Sequence, residues 1–72
     1  MFIYTDNTQL KNEIKKVTID SGMTQKSVCD KLSMSPQTYQ TLINKKNLAF
    51  KDIKRICDVL NYDLVIDFKK RD

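Results

Sequence analysis

The chain has no histidine and no tryptophan, and only one glycine, one proline and two cysteines in 72 residues. Each scarcity removes a class of chemistry. Without histidine there is no side chain that ordinarily exchanges a proton near neutral pH, and the commonest metal ligand is missing. Cys29 and Cys57 form no CxxC pair, so no metal and no other cofactor is expected. Both fall at apolar helical positions that suit a small side chain, and they read as reduced core thiols. One glycine cannot build a phosphate-cradling loop, and the carboxylates are scattered rather than clustered, so an enzyme is not expected. No apolar run approaches the ~20 residues of a membrane span. The opening Met1-Phe2-Ile3-Tyr4-Thr5-Asp6 lacks the charged-then-apolar pattern of a secretion signal. The expected location is the cytoplasm, where a disulfide would be out of place.

What is present suits one small folded domain spanning 1–72, at 40% hydrophobic and 31% charged residues. Thirteen basic against nine acidic residues give a net charge of +4. That balance alone is weak evidence for nucleic acid, since many small domains carry as much. Its distribution says more. From Lys31 to Lys51 there is no acid, and Lys45 and Lys46 stand in the middle of that stretch. A cationic edge of this kind complements a phosphate backbone.

Taken in order, Phe2, Ile3 and Tyr4 form a short β-prone run, compatible with an edge strand, a packed arm or a frayed end. Asp6, Asn7 and Thr8 offer three successive N-caps. Leu10, Ile14 and Val17 then recur at helical spacing, and Gly22 suits the left-handed residue that ends a helix. The spacing predicts helices over about 8–20, 24–32, 35–44 and 50–60. Phe50, Ile53, Ile56, Cys57 and Leu60 make the apolar stripe of the fourth, and Asn61 can close it. After that the period changes to two. Leu64, Ile66 and Phe68 alternate with Val65, Asp67 and Lys69, which predicts a strand over about 63–69.

The informative stretch is Thr24 to Asn44. Thr24 and Ser35 are N-caps, and Pro36 occupies a first turn where its missing N–H costs nothing. Val28, Cys29, Leu32, Met34, Tyr39 and Leu42 fall on the inward side, with Ile43 next to them. Gln37, Thr38, Gln40 and Thr41 fall outward. Two short helices joined at Ser33, with amides and hydroxyls outside, form a helix-turn-helix pattern. Cys29 must be small because the two helices approach there. Ser33 stands where glycine is usual, at a cost on the order of 1 kcal/mol in a left-handed turn.

These features resemble the phage-repressor and Cro family of helix-turn-helix regulators, also called the XRE family. The resemblance rests on Thr24-Gln25, on Val28-Cys29-Asp30-Lys31-Leu32, on Met34-Ser35 and on Leu42-Ile43-Asn44, and it extends to Phe50 through Leu60. It covers about residues 8–63, with a similarity to λ-repressor-type DNA-binding regions between Gln25 and Leu48. It implies a mostly α fold, a four-helix λ-repressor-like domain, here with an added C-terminal β-strand. It also implies a cytoplasmic regulator that binds double-stranded DNA at a palindromic operator, as a homodimer and most simply as a repressor.

Carried over residue by residue, Gln25 would hold a phosphate. Gln37, Gln40 and Thr41 would face base edges, with Ser35 and Thr38 beside them, and Asn44, Lys45 and Lys46 would grip the sugar-phosphate backbone. The chain departs from the pattern at Pro36, where a glutamine is common, at Ile43, where many members carry glutamate, and at Lys45, where glycine is common. These departures bear on the target sequence rather than on the binding mode. A lone strand needs a partner for its backbone groups. Leu64, Ile66 and Phe68 are therefore expected either to pair across a dimer or to pair with Phe2–Thr5 within the chain. The alternative function is an antitoxin-like interaction module whose strand or arm binds a partner protein.

Overall fold

Three of the four helices described start where a side-chain oxygen accepts from a backbone N–H, and two of the four stop where the chain turns left-handed. The computed structural model describes residues 2–72 and holds four helices in the order α1 (Asn7–Asp20), α2 (Gln25–Leu32), α3 (Pro36–Ile43) and α4 (Phe50–Leu60). Of the three candidate caps before α1, Asp6 takes the role: its carboxylate accepts from the Gln9 N–H at 2.9 Å. Thr24 caps α2 by accepting from Ser27 N–H, and Ser35 caps α3 by accepting from Thr38 N–H. α4 starts at Ala49 without a side-chain cap.

Among the described residues three adopt positive φ, and all three end helices or turn the chain: Gly22 at 78°, Ser33 at 57° and Asn61 at 62°. A Cβ at Gly22 would meet nothing within 4 Å, so it is the backbone angle, not crowding, that favours glycine there. At Ser33 the N–H groups of Ser33 and Met34 donate to the carbonyls of Asp30 and Cys29. This closes α2 and turns the chain within three residues into the cap of α3.

The core sits where α1, α3 and α4 meet around α2. Val28 and Cys29 are fully buried on α2, and Ile14, Leu32, Tyr39, Ile43, Ile56 and Leu60 close around them. Leu10, Val17, Met23, Met34, Leu48 and Val59 pack against this cluster from its edges. Thr18 is the one buried polar residue among those described, and its hydroxyl donates to the Ile14 carbonyl at 2.7 Å. That bond removes the cost of taking the hydroxyl out of water.

Two sequence expectations change. Phe50 belongs to the apolar stripe of α4 by spacing but is 66% exposed. It is the first residue of the helix, one turn before Ile53, and the neighbouring helices do not reach it. Among the described residues there is no strand, neither over 63–69 nor at Phe2–Thr5. The reason is physical: a strand exists only through a ladder of hydrogen bonds to a neighbour. Within one chain Leu64 is half-buried, while Val65, Ile66 and Phe68 stand exposed and pair with no neighbouring strand. The radius of gyration, 12.6 Å, exceeds the roughly 11 Å of a compact chain this long, as projecting ends require.

Candidate nucleic-acid interface

α3 is an amphipathic helix of two turns. Tyr39, Leu42 and Ile43 are buried on one side, at spacings of three and four. The same spacing on the other side aligns Gln37, Gln40, Thr41 and the capping Asn44 as one stripe. Gln37 and Thr41 are exposed and Gln40 is half-buried. Thr41 Oγ1 donates to the Gln37 carbonyl at 3.1 Å, so its hydroxyl proton is spent on the helix and its lone pairs face outward. Gln37 and Gln40 each carry a donor and an acceptor on one planar amide, the combination that pairs in two places with an adenine edge.

The two hydroxyl residues at the start of α3 act on each other. Ser35 Oγ accepts from Thr38 N–H at 3.1 Å and donates to Thr38 Oγ1 at 2.9 Å. Their observed work is to fix the angle at which α3 leaves the turn. Both side chains remain exposed beside Gln37.

Gln25 lies apart from the α3 stripe. It is the first residue of α2, half-buried, and lines a shallow groove of about 480 Å³ with Lys15, Thr24 and Tyr39. Such a position combines unpaired helix-terminal N–H groups with a cation nearby, which suits a phosphate oxygen.

At the other end of α3, Asn44, Lys45 and Lys46 are all exposed. Lys11 of α1 reaches across and donates to Asn44 Oδ1 at 2.9 Å. An ammonium can only donate, so this contact orients the Asn44 amide with its NH₂ turned away. Asn7 donates through Nδ2 to the backbone carbonyls of Lys45, at 3.3 Å, and Lys46. Tyr4 OH donates in turn to Asn7 Oδ1 at 2.6 Å. Sequence reasoning missed these α1 residues as part of the site. Asn7 is 38 residues from Lys45, and no local pattern announces such a contact.

Of the residues expected at the site, Gln37, Gln40, Thr41, Asn44, Lys45 and Lys46 thus come together on one continuous edge. Ser35 and Thr38 flank it, Gln25 sits at the next helix end, and Leu64, Ile66 and Phe68 lie in the separate C-terminal segment. The edge carries no carboxylate between Lys31 and Lys51.

The rest of the titratable chemistry is structural. Burial pushes both the Cys29 and Cys57 thiols above their ordinary 9.0, with Asp30 and Asp58 respectively adding to the shift. Both are therefore neutral thiols near pH 7, poor nucleophiles and poor metal ligands. Burial likewise raises Tyr39. The Lys54 ammonium is held charged by its 2.9 Å hydrogen bond to Asp58, on the solvent side of α4. Among the described residues no group of three or more Cys, Asp or Glu side chains is placed to hold a metal, and no helix is long and apolar enough to cross a membrane.

Comparison with curated proteins and with solved structures gives no match. The family model of the Cro/C1-type HTH DNA-binding domain matches residues 13–65. That match takes in most of α1, the whole Thr24–Asn44 unit and all of α4, well over half of the chain. The four helices, the left-handed turn at Ser33 and the polar, acid-free edge are thereby accounted for together: this chain belongs to the Cro/C1-type helix-turn-helix DNA-binding family.

Proposed function

We propose that this DNA-binding domain works as a sequence-specific transcriptional repressor, of the kind carried by phages, plasmids and other mobile elements, and that it binds a palindromic operator as a homodimer. The observation that carries the reading is the α3 edge. One stripe of exposed and half-buried amides and a hydroxyl runs without interruption into a loop of two lysines, on a helix whose opposite side is buried. A helix with this division can enter the major groove of B-DNA while its far side stays packed in the protein.

In this reading Gln37, Gln40 and Thr41 read base edges, and Ser35 and Thr38 lie against the groove wall. Gln25, Asn44, Lys45 and Lys46 hold phosphates on either side. The phosphate contacts set register and affinity; the amides set sequence. Pro36 offers no side-chain donor, so the readout rests on fewer residues.

Two-fold pairing of the C-terminal segments supplies the dimer, with Leu64, Ile66 and Phe68 forming its apolar face. An antiparallel register centred on Ile66 is supported by charge as well as by apolar spacing. It sets Leu64 opposite the partner's Phe68, and Asp63 opposite the partner's Lys69.

Selection of binding sites from random duplex DNA tests the whole reading. The expected product is an inverted repeat whose half-sites are centred about one helical turn, ~34 Å, apart. Recovery of a single unrepeated half-site would overturn the dimer, and no enrichment at all would overturn sequence-specific binding.

A further inference from the structure

The loop that carries Lys45 and Lys46 has little of its own to hold it. It is not helical after Asn44, the side chains of residues 44–47 are exposed, only Leu48 packs against the core, and α4 begins at Ala49 without a side-chain cap. Yet lysines that grip a phosphate backbone gain affinity when their backbone is already placed, because less freedom is lost on binding. The order comes from the far end of the chain.

Asn7 is the first residue of α1, and its side chain is not used for capping, since Asp6 does that. It is aimed instead at the loop. Its Nδ2 donates to the Lys45 and Lys46 carbonyls, and its Oδ1 accepts the Tyr4 hydroxyl at 2.6 Å. The partners fix the amide's orientation, because carbonyls only accept and the phenol is free to donate. Four residues on, Lys11 donates to Asn44 Oδ1 at 2.9 Å. Asn7 and Lys11 lie on one face of α1, one turn apart, and hold the loop at Asn44 and at Lys45–Lys46. Between them is an open recess of about 380 Å³ lined by Tyr4, Asn7, Lys11, Asn44, Lys45 and Lys46, with the Asp6 carboxylate also on its wall.

We propose that Tyr4, Asn7 and Lys11 form a clasp that positions the Asn44–Lys46 loop for the phosphate backbone, with Asn7 as its central positioning residue. This rests on the DNA-binding reading above and names residues of α1 and the N-terminal segment that work through the loop. Asn7 touches the loop backbone and orders it; the lysines make the contact. Lys11 adds a third cation to the same edge.

The test uses the full chain and a random-sequence 20-base-pair duplex, titrated over a range of salt, for the wild type, Asn7→Ala, Lys45→Ala/Lys46→Ala and the triple variant. Alanine at Asn7 leaves the Asp6 cap in place and suits a first helical position, so the helix is retained. Asn7→Ala is expected to weaken binding by about three- to tenfold, the worth of one to two hydrogen bonds. In the background without the loop lysines the same substitution is expected to do nothing. Tyr4→Phe, which keeps the ring and removes the donor, is expected to show a smaller loss of the same kind. In the free protein, Asn7→Ala should lower the NMR order parameters of residues 44–47 and leave those of 28–32 unchanged.

Wild-type affinity in Asn7→Ala would overturn the clasp. So would an equal loss with and without the lysines, which is what a purely structural role predicts. A wild-type chain that bound this duplex at no salt concentration would instead overturn the DNA reading. The order parameters would then still decide, separately, whether Asn7 holds the loop.

Discussion

Ser33 shows how a single residue carries the geometry of the motif. Its φ of 57° puts a side chain where most residues are strained, yet the turn needs that angle to bring Met34 onto the core and Ser35 to its cap. Ser33→Gly removes the side-chain penalty but adds freedom to the unfolded chain. The net effect expected is a gain of about 0.5 kcal/mol, read as a slightly higher thermal midpoint. Loss of stability would mean that the serine side chain contributes something the backbone angle does not explain. The need for a turn at this position is legible in the sequence, because Leu32 and Met34 leave Ser33 alone between two inward residues. Cys29 is legible in the same way: full burial where α2 meets its neighbours requires a small side chain. Asn7 is not. Its type and position mark it as a cap, and only the folded chain shows Asp6 capping and Asn7 reaching the loop.

At the level of elements, the proposed division of recognition between α3 and the loop after it can be measured. Gln37→Ala removes an amide from the exposed stripe and leaves the buried side of α3 untouched. It is expected to cost about 1–3 kcal/mol of discrimination at one base pair of the selected operator, with little change on random duplex. Lys46→Ala should do the opposite, weakening every duplex alike and reducing the slope of log K against log salt by about 1. Quantitative binding of both variants to operator and random duplex at several salt concentrations separates the two. If Gln37→Ala weakened both duplexes equally, the α3 stripe would not be facing bases. The helices themselves follow from periodicity and caps, which are local. Phe50 escapes that logic. It has the spacing of a core residue, but burial depends on what packs around it, and at the start of α4 Phe50 is left 66% exposed while Ile53 is buried.

The C-terminal segment belongs to the scale of the whole molecule, since its alternation of Leu64, Ile66 and Phe68 makes sense only if something lies beside it. Within one chain Leu64 is half-buried, but Ile66 is 55% and Phe68 92% exposed. Period two could be read from the sequence, while the partner could not, because a ladder is a property of two strands. Covering Ile66 and Phe68 in each of two chains would yield about 1.5–3 kcal/mol per side chain. That sum is comparable to the roughly 4–15 kcal/mol lost when two bodies become one. The apolar face alone therefore comes close to break-even, and the backbone ladder and the paired charges decide whether the dimer holds. In the register centred on Ile66 each Asp63 lies opposite the partner's Lys69, and the two-fold axis makes the pair twice. Asp63→Lys replaces both attractions with repulsions between residues directly opposite, worth about 0.2–1 kcal/mol each in either direction. It should shift the monomer–dimer equilibrium toward monomer, as followed by sedentation-equilibrium mass over a range of concentration. Adding Lys69→Asp reverses both partners and should restore the wild-type constant. The pair is exposed, so the helices are retained, and within one chain the swap removes only the favourable charge that Asp63 sets near Lys54. Ile66→Glu with Phe68→Glu should abolish the dimer altogether. A dimer that survived the glutamates would have to be built through another surface, and one that yielded to them but ignored the charge swap would be paired in a different register.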